Sequence, residues 1–464
     1  MGVCMPERYG KLPKKTFNSI YFIIFIVFCL VGISINVGCS RPDNSNGKKS
    51  IIVFVEDRLS NLIRDSINQY MADLQKEGYG TILKNDISAK TSPSDIRLFL
   101  RKEYRKKSNI AGALLVGNIP AIVFNEKIIQ GDPYRHDHLC DFYYMDLDGF
   151  WEDSDGNGVY DTHRDFKIHS INRIMKAINK RLHLWGNYRS PEIWVSRVRA
   201  ETLPSLGNEV ELLKNYFSKN HAYRVGEMPL PPRRSFVVAP GIDVMKSGWG
   251  ARPNKLYDDV AIVQCQDNTS AALRRFLGST SGYEWGIINV FSGPSIHHFD
   301  YFEGGGFDPS WWETRKGKEQ INAYSDENHK PYDVTSRDIQ SIRPKTLFYH
   351  LLTSEVGRHD KNGYLAGTYI FSGSGLAAIA GTQHSGSVGV PILYDSLASG
   401  KDIGDAWKDA IRWSIEHSGE QMEVYWCDRK EFWIEGKDPY KAVLIGDGTL
   451  KLPDGKHPSR TNHR

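Results

Sequence analysis

Asp153, Asp155 and Asn157 alternate within DFYYMDLDGFWEDSDGNGVYD (residues 141–161), with Gly156 and Gly158 interleaved and Asp161 eight residues past the first. A hard cation such as Ca²⁺ takes roughly six to eight oxygens at short range. Oxygen-bearing side chains at alternate positions of a tight glycine-rich turn supply them. In this reading Val159 gives its backbone carbonyl, and Asp161 an oxygen, directly or through water. The twelfth position is Arg164 rather than Glu, so a bidentate ligand has to come from elsewhere, with Asp146 and Asp148 as contributors. The cofactor expected is a structural calcium ion pinning a long loop, although the same residues also suit an acidic turn without an ion. Just upstream, His136, His138 and Cys140 share one face if the chain is extended, a spacing that suits Zn²⁺. A fourth ligand is missing, and alternating polar residues are common on strands that bind nothing.

Thiols are the other reactive groups. Cys4 and Cys29 lie in the leader described below, and Cys39 follows it. The remaining Cys140, Cys265 and Cys427 are odd in number, so one disulfide is possible and the sequence does not say which. Cys265 ends the strand-like run AIVQC, a rim position from which a thiolate can act; a buried free cysteine is the commoner outcome.

These groups need a scaffold. Strand-like apolar runs alternate with amphipathic stretches along the chain. Ile51–Val55 is a β-branched run, followed by Ile63, Ile67, Tyr70, Met71 and Leu74 at helical spacing, a helix-like piece over Ser94–Tyr104, and the apolar run Ala111–Val116. That β-α-β order favours a parallel sheet covered on both faces. The order then returns, with strands predicted over Ile193–Val198, Ser235–Ala239, Val260–Gln264, Trp285–Phe291, Thr346–Leu352 and Leu376–Gly381. Helices are predicted over Leu206–Phe217, Ser270–Leu277, Tyr364–Phe371 and Asp402–Ile415. Gly304–Lys345 is rich in Gly, Pro and charge and reads as an inserted loop. Arg224–Arg234 contains three prolines and reads as a linker. The body is therefore α/β with two lobes, residues 50–224 with the calcium-type loop and residues 235–452.

The first 38 residues read as an address. The apolar run at residues 20–35 follows the basic stretch Lys11–Lys15, as in a secretory signal, and is short for a bilayer span of about 20 residues. Val37-Gly38-Cys39-Ser40 resembles a bacterial lipobox, with Cys39 as the lipidated residue. Asn36 departs from the Leu usual there, and an uncleaved anchor helix is the other reading. Residues 39–49 are polar, as a tether requires. Arg8, Lys11, Lys14 and Lys15 against Glu7 place +3 of the net +4 in this leader, which leaves +1 for the other 426 residues. A body so near neutral has no global electrostatic attraction for nucleic acid.

Several pieces together resemble the gingipain-type cysteine peptidases (family C25, clan CD, caspase fold). They are ALLVGNIP (113–120), DFYYMDLDGFW (141–151), PEIWVSRV (191–198), YLAG (364–367), GLAAIAGT (375–382) and LIGDGTL (444–450). The resemblance spans residues 50–452 and rests on their order and spacing. It implies an α/β fold with two adjacent, mostly parallel sheets flanked by helices, and an active site at the carboxyl ends of strands in the second. In that family a His follows one strand and a Cys the next, before a short Gly-containing turn. The thiolate attacks the peptide carbonyl, the His protonates the leaving amine and backbone N–H groups hold the oxyanion. Here the His position falls near Phe291 or Ser292, and the register of Gly357 puts Ser354 on the nucleophile. Both expected residues are replaced.

A hydroxyl needs a base within hydrogen-bond reach. His297 and His298, five and six residues past Ser292, are the candidates to serve Ser354; Glu355 is adjacent to it but badly placed to face it. The resemblance then implies an envelope lipoprotein that keeps the fold without the chemistry and binds a peptide or protein. An active serine- or cysteine-type envelope peptidase with a rearranged pair, and a purely structural lipoprotein, are the alternatives. Aromatic residues at Phe299, Tyr301, Phe302, Trp311 and Trp312 either line a ligand cleft or pack the insertion against the body.

Overall fold

β-Branched and aliphatic runs form the ten strands of one central sheet. In the computed structural model they are β1 (Ser50–Glu56), β2 (Gly80–Ile87), β3 (Ile110–Val116), β4 (Trp194–Val198), β5 (Arg234–Ala239), β6 (Asp259–Gln264), β7 (Trp285–Ile288), β8 (Phe348–Leu351), β9 (Ala377–Gly381) and β10 (Ala442–Gly446). The residues described are 48–88, 90–106, 109–125, 137–164, 190–247, 251–265, 268–299, 332–383, 390–417, 421–427, 430–434 and 438–453. The leader, Cys39, His136, Tyr301, Phe302, Trp311, Trp312 and residues 304–331 of the insertion lie outside them. From Lys48 onward the chain forms one compact unit. No helix among the described residues is long and apolar enough to cross a membrane.

Sheet order is β6-β5-β7-β8-β9-β10-β4-β3-β1-β2. Within each half neighbouring strands are parallel, and β10 runs antiparallel to β9. The two adjacent sheets expected from the sequence thus meet edge to edge through β10, where Ile445 pairs with Arg197 of β4. The strands β1 (SIIVFV) and β3 (IAGALLV) are buried and almost wholly apolar, because helices cover both faces. The principal helices are α1 (Arg64–Lys76), α2 (Pro93–Lys106), α3 (Glu209–Arg224), α4 (Thr269–Leu277), α5 (Ser336–Ile342), α6 (Leu365–Ser372), α7 (Val390–Ala398) and α8 (Ile403–Glu416). Helix α3 starts at Asn208, whose side chain accepts from the amides of Val210 and Glu211. The proline-rich stretch Arg224–Arg234 is the connection from α3 to β5.

Two expectations need correction. The strand predicted over Trp285–Phe291 stops at Ile288, and Phe291–Gly293 pairs instead with Ile296–His298 in a separate hairpin. The apolar residues Val290 and Phe291 prolong the hydrophobic run beyond the point where the backbone leaves the sheet. The stretch read as an inserted loop to Lys345 contains α5, which begins at a capping box between Thr335 and Asp338.

Candidate functional site

The loops leaving β7 and β8 carry the residues singled out for catalysis. After Asn289, the chain forms the hairpin Phe291–Gly293/Ile296–His298, whose register sets Ser292 opposite His297. Ser292 Oγ lies 2.7 Å from His297 Nδ1, and His297 Nε2 lies 3.0 Å from the Tyr369 hydroxyl on α6. Thr353 Oγ1, just past β8, donates its one proton to the Val290 carbonyl and lies 2.5 Å from Ser292 Oγ. A four-residue network, Thr353–Ser292–His297–Tyr369, is therefore closed inside the protein. His297 is fully buried, and desolvation, with a smaller contribution from the neighbouring His298, depresses its pKa to about 3. Such an imidazole stays neutral at physiological pH and is a weak base.

His298 points the other way across the hairpin. Its Nδ1 is 3.6 Å from Asp333 Oδ2, and its Nε2 comes within 3.9 Å of the place a Cβ on Gly293 would occupy. Ser354 is nine-tenths buried at the end of β8, followed by Glu355 with φ +57°, a left-handed conformation uncommon outside glycine. The chain then turns so sharply that Gly357 donates to the Gly381 carbonyl at 2.7 Å; a Cβ on Gly357 would meet that oxygen at 2.9 Å. Burial pushes the Glu355 carboxyl upward, and Arg358 partly offsets this. The geometry thus brings Ser292 together with His297. Both His297 ring nitrogens are engaged there, which leaves neither for Ser354.

Three residues that the sequence reading missed belong here. Tyr369 and Thr353 complete the network. Asn289, nine-tenths buried beyond β7, has an Nδ2 with no hydrogen-bond partner among the described residues. Gln264, which pairs with Ala239 at the end of β6, holds an Oε1 likewise without a partner among them, while its Nε2 donates to Asp243.

The cysteines resolve plainly. Cys265 forms a disulfide with Cys427, so it is no nucleophile; Cys140 is free and buried. Desolvation drives the Cys140 thiol well above its ordinary pKa, which opposes a free thiolate there. In the calcium-type loop, Asp153 accepts from the amides of Asn157 and Gly158, and Asn157 accepts from the amide of Val159. Asp155 accepts from the amide and side chain of Asn157, and Asp161 accepts from the amide of Ser154. Asp146, Asp148 and Glu192 converge so that one ligand atom from each lies within 4.8 Å of the others. Phe299 is buried and packs in the body.

This architecture, two β-α-β halves in one sheet with a buried polar network at the carboxyl ends of the second, is that of the caspase-like α/β proteins of gingipain type. No family model matches the chain, and no curated protein does. Among solved structures, it is similar to the Arg-specific cysteine proteinase gingipain R (RgpB), with a TM-score of 0.51 at 13% identity over 87% of this chain and 78% of that one. It is also similar to the complex of Porphyromonas gingivalis RgpB pro- and mature domains (TM-score 0.50, 14% identity, 87% and 79% covered). A structure titled only as a protease gives 0.54 at 12% identity, over 88% and 79%. The chain thus has the gingipain fold, as the sequence motifs implied.

Proposed function

We propose that this chain is an exported, lipid-anchored protein of the bacterial envelope that keeps the gingipain fold without its peptidase chemistry and holds a peptide or protein ligand in the cleft. One observation carries the reading. The nucleophile position is a hydroxyl, Ser354, while His297 is engaged at both nitrogens and too weakly basic to activate it. Neither disulfide-bonded Cys265 nor buried Cys140 can replace the lost thiolate. Unsatisfied hydrogen-bonding atoms on Asn289 and Gln264 support a ligand at the strand ends, because buried polar groups normally find partners. The exposed disulfide supports an oxidising compartment, and with it export by the leader that precedes Cys39.

The test is a fluorophosphonate probe and a fluorogenic peptide library applied to the full chain. The expected result is no labelling of Ser354 or Ser292 and no turnover, with Ser354→Cys still inactive. Turnover by Ser354→Cys would establish that a working base faces that position and would overturn the reading. An active serine-type peptidase is the second reading, favoured by the 2.7 Å contact of Ser292 with His297. Against it, Ser292 Oγ is already bound up with Thr353 Oγ1 at 2.5 Å, and both residues of the pair are closed in.

Calcium belongs to the same proposal as a structural ion on Asp153, Asp155, Asn157, the Val159 carbonyl and Asp161, with Asp146 and Asp148 nearby in sequence. Added Ca²⁺ should raise the melting temperature of the wild type and not of Asp153→Asn/Asp155→Asn. An equal shift in both would remove this loop as the site.

A further inference from the structure

We propose that the Cys265–Cys427 disulfide is a reducible clamp that holds the hairpin Gln421–Tyr425/Lys430–Ile434 on the rim made by the carboxyl ends of β5 and β6, and that thiol–disulfide exchange releases this hairpin while the sheet stays folded. Cys265 is the first residue beyond β6, an edge strand paired on one side only. Cys427 lies two residues beyond the first strand of the hairpin. Both cysteines are exposed, so a reducing thiol reaches them without unfolding the protein.

Among the described residues, the non-covalent ties beneath the bond are local. Asp243 donates its amide to the Tyr425 carbonyl at 2.8 Å, Cys427 to the Gly241 carbonyl at 3.2 Å, and Tyr425 to Ser247 Oγ at 3.1 Å. Ile242 bridges Trp426, and Val424 is buried. Loop 240–247 is in turn tied to β6 by Gln264 and Asp243. Cys265 and nearby Asn268 have φ values of +55° and +64°, conformations an L-residue leaves readily once nothing holds it there. The bond is the covalent tie between hairpin and rim, and β6 is itself hydrogen-bonded along its length to β5, so the hairpin rather than β6 is the segment its loss releases.

The co-reactant is a dithiol, small or protein-borne. Its thiolate attacks one cysteine sulfur, forming a mixed disulfide as the Cys265–Cys427 bond breaks, and the departing cysteine takes up a proton. The second thiol of the dithiol then displaces the remaining cysteine, leaving two protein thiols and one oxidised dithiol. The clamp does not depend on what Ser354 can do.

Hydrogen–deuterium exchange on the full chain, oxidised and after dithiothreitol, reads it. Amides of 241–247 and 421–427 should exchange at least tenfold faster once reduced, while those of β7 and β8 do not change; Cys265→Ser/Cys427→Ser should behave as the reduced protein. Unchanged exchange in both segments would show that the non-covalent ties suffice and overturn the clamp. Equal acceleration across β7 and β8 would overturn it too, by making the bond a staple of the whole fold. Alkylation of Cys265 or Cys427 before any reductant is added would remove its basis. Should the double variant fail to fold, the reduced wild type decides alone.

Discussion

In the first half of the sheet β1 lies between β2 and β3; in the second, β5 lies between β6 and β7. Each half therefore reverses strand order once, and an open α/β sheet leaves a crevice at the carboxyl ends beside such a reversal. The first crevice is stoppered. Glu56 at the end of β1 accepts from the Asn118 amide at 2.8 Å and from Arg58 at 2.9 Å, and Arg58 reaches Glu209 at 2.6 Å. The second carries the Ser292–His297 network, Ser354 and the unsatisfied amide of Asn289. Identical wiring thus serves as scaffold on one side and as site on the other. The difference lies in whether the polar groups at the strand ends satisfy one another.

The largest effect should come from the scaffold side. Arg197 on β4 is fully buried, makes two bonds to Asp141 at 2.7 and 2.6 Å and donates to the Ile119 carbonyl at 2.7 Å. Arg197→Met strands the Asp141 carboxylate and should cost about 3–5 kcal/mol in urea unfolding, most of it regained by adding Asp141→Leu. A loss under about 1 kcal/mol would mean that the first half is not rigidified by this pair.

Acid should act on the site side. His297 and His350 both have folded pKa values lowered to about 3 by burial, against an ordinary 6.5. Between those values the unfolded chain binds more protons than the native one, so stability falls as pH drops below about 6.5 and levels off near 3. At pH 5 the penalty is about 2 kcal/mol per histidine. His297→Gln should flatten the slope of unfolding free energy against pH by one histidine's share, with His350 and the likewise depressed His359 still contributing. An unchanged slope would show that the Ser292–Tyr369 enclosure does not keep the ring neutral.

Gly117, beyond β3, has φ +89°, and a Cβ there would meet Glu56 Oε2 and Leu59 Cδ1 at 2.7 Å. Gly117→Ala should cost about 2 kcal/mol by chemical denaturation, because it combines left-handed strain with displacement of the stopper.

Much of this contrast was legible in the sequence. The runs SIIVFV and AGALLV specify buried parallel strands, and the β-α-β order fixed the fold class. Ser292 facing His297 was within reach as well: Phe291-Ser292-Gly293-Pro294-Ser295-Ile296-His297-His298 places two residues between Gly293 and Ile296, the spacing of a tight hairpin. The apolar Val290-Phe291 hid it by extending the preceding strand. Tyr369, 72 residues from His297, and the partner of Cys265, 162 residues away, left no local signal, because side chains so distant meet only through the folded sheet.

The smallest effect is also the most discriminating. Asn289 Nδ2 has no partner among the described residues, and a buried donor left unsatisfied costs about 1–3 kcal/mol. Asn289→Leu, similar in volume, should then leave melting temperature unchanged or raise stability by up to about 1 kcal/mol. Glu56→Leu, at the corresponding end of the first half, should lower it by about 1–2 kcal/mol, since it strands Arg58 and the Asn118 amide. Opposite signs for the two leucines are the expected outcome in paired calorimetric scans. A residue retained at a cost to stability is retained for something the folded chain alone does not supply; Asn289→Leu should accordingly weaken capture of any peptide selected against the wild-type cleft. If instead both substitutions destabilise alike, Asn289 belongs to the scaffold, and the second crevice is as closed as the first.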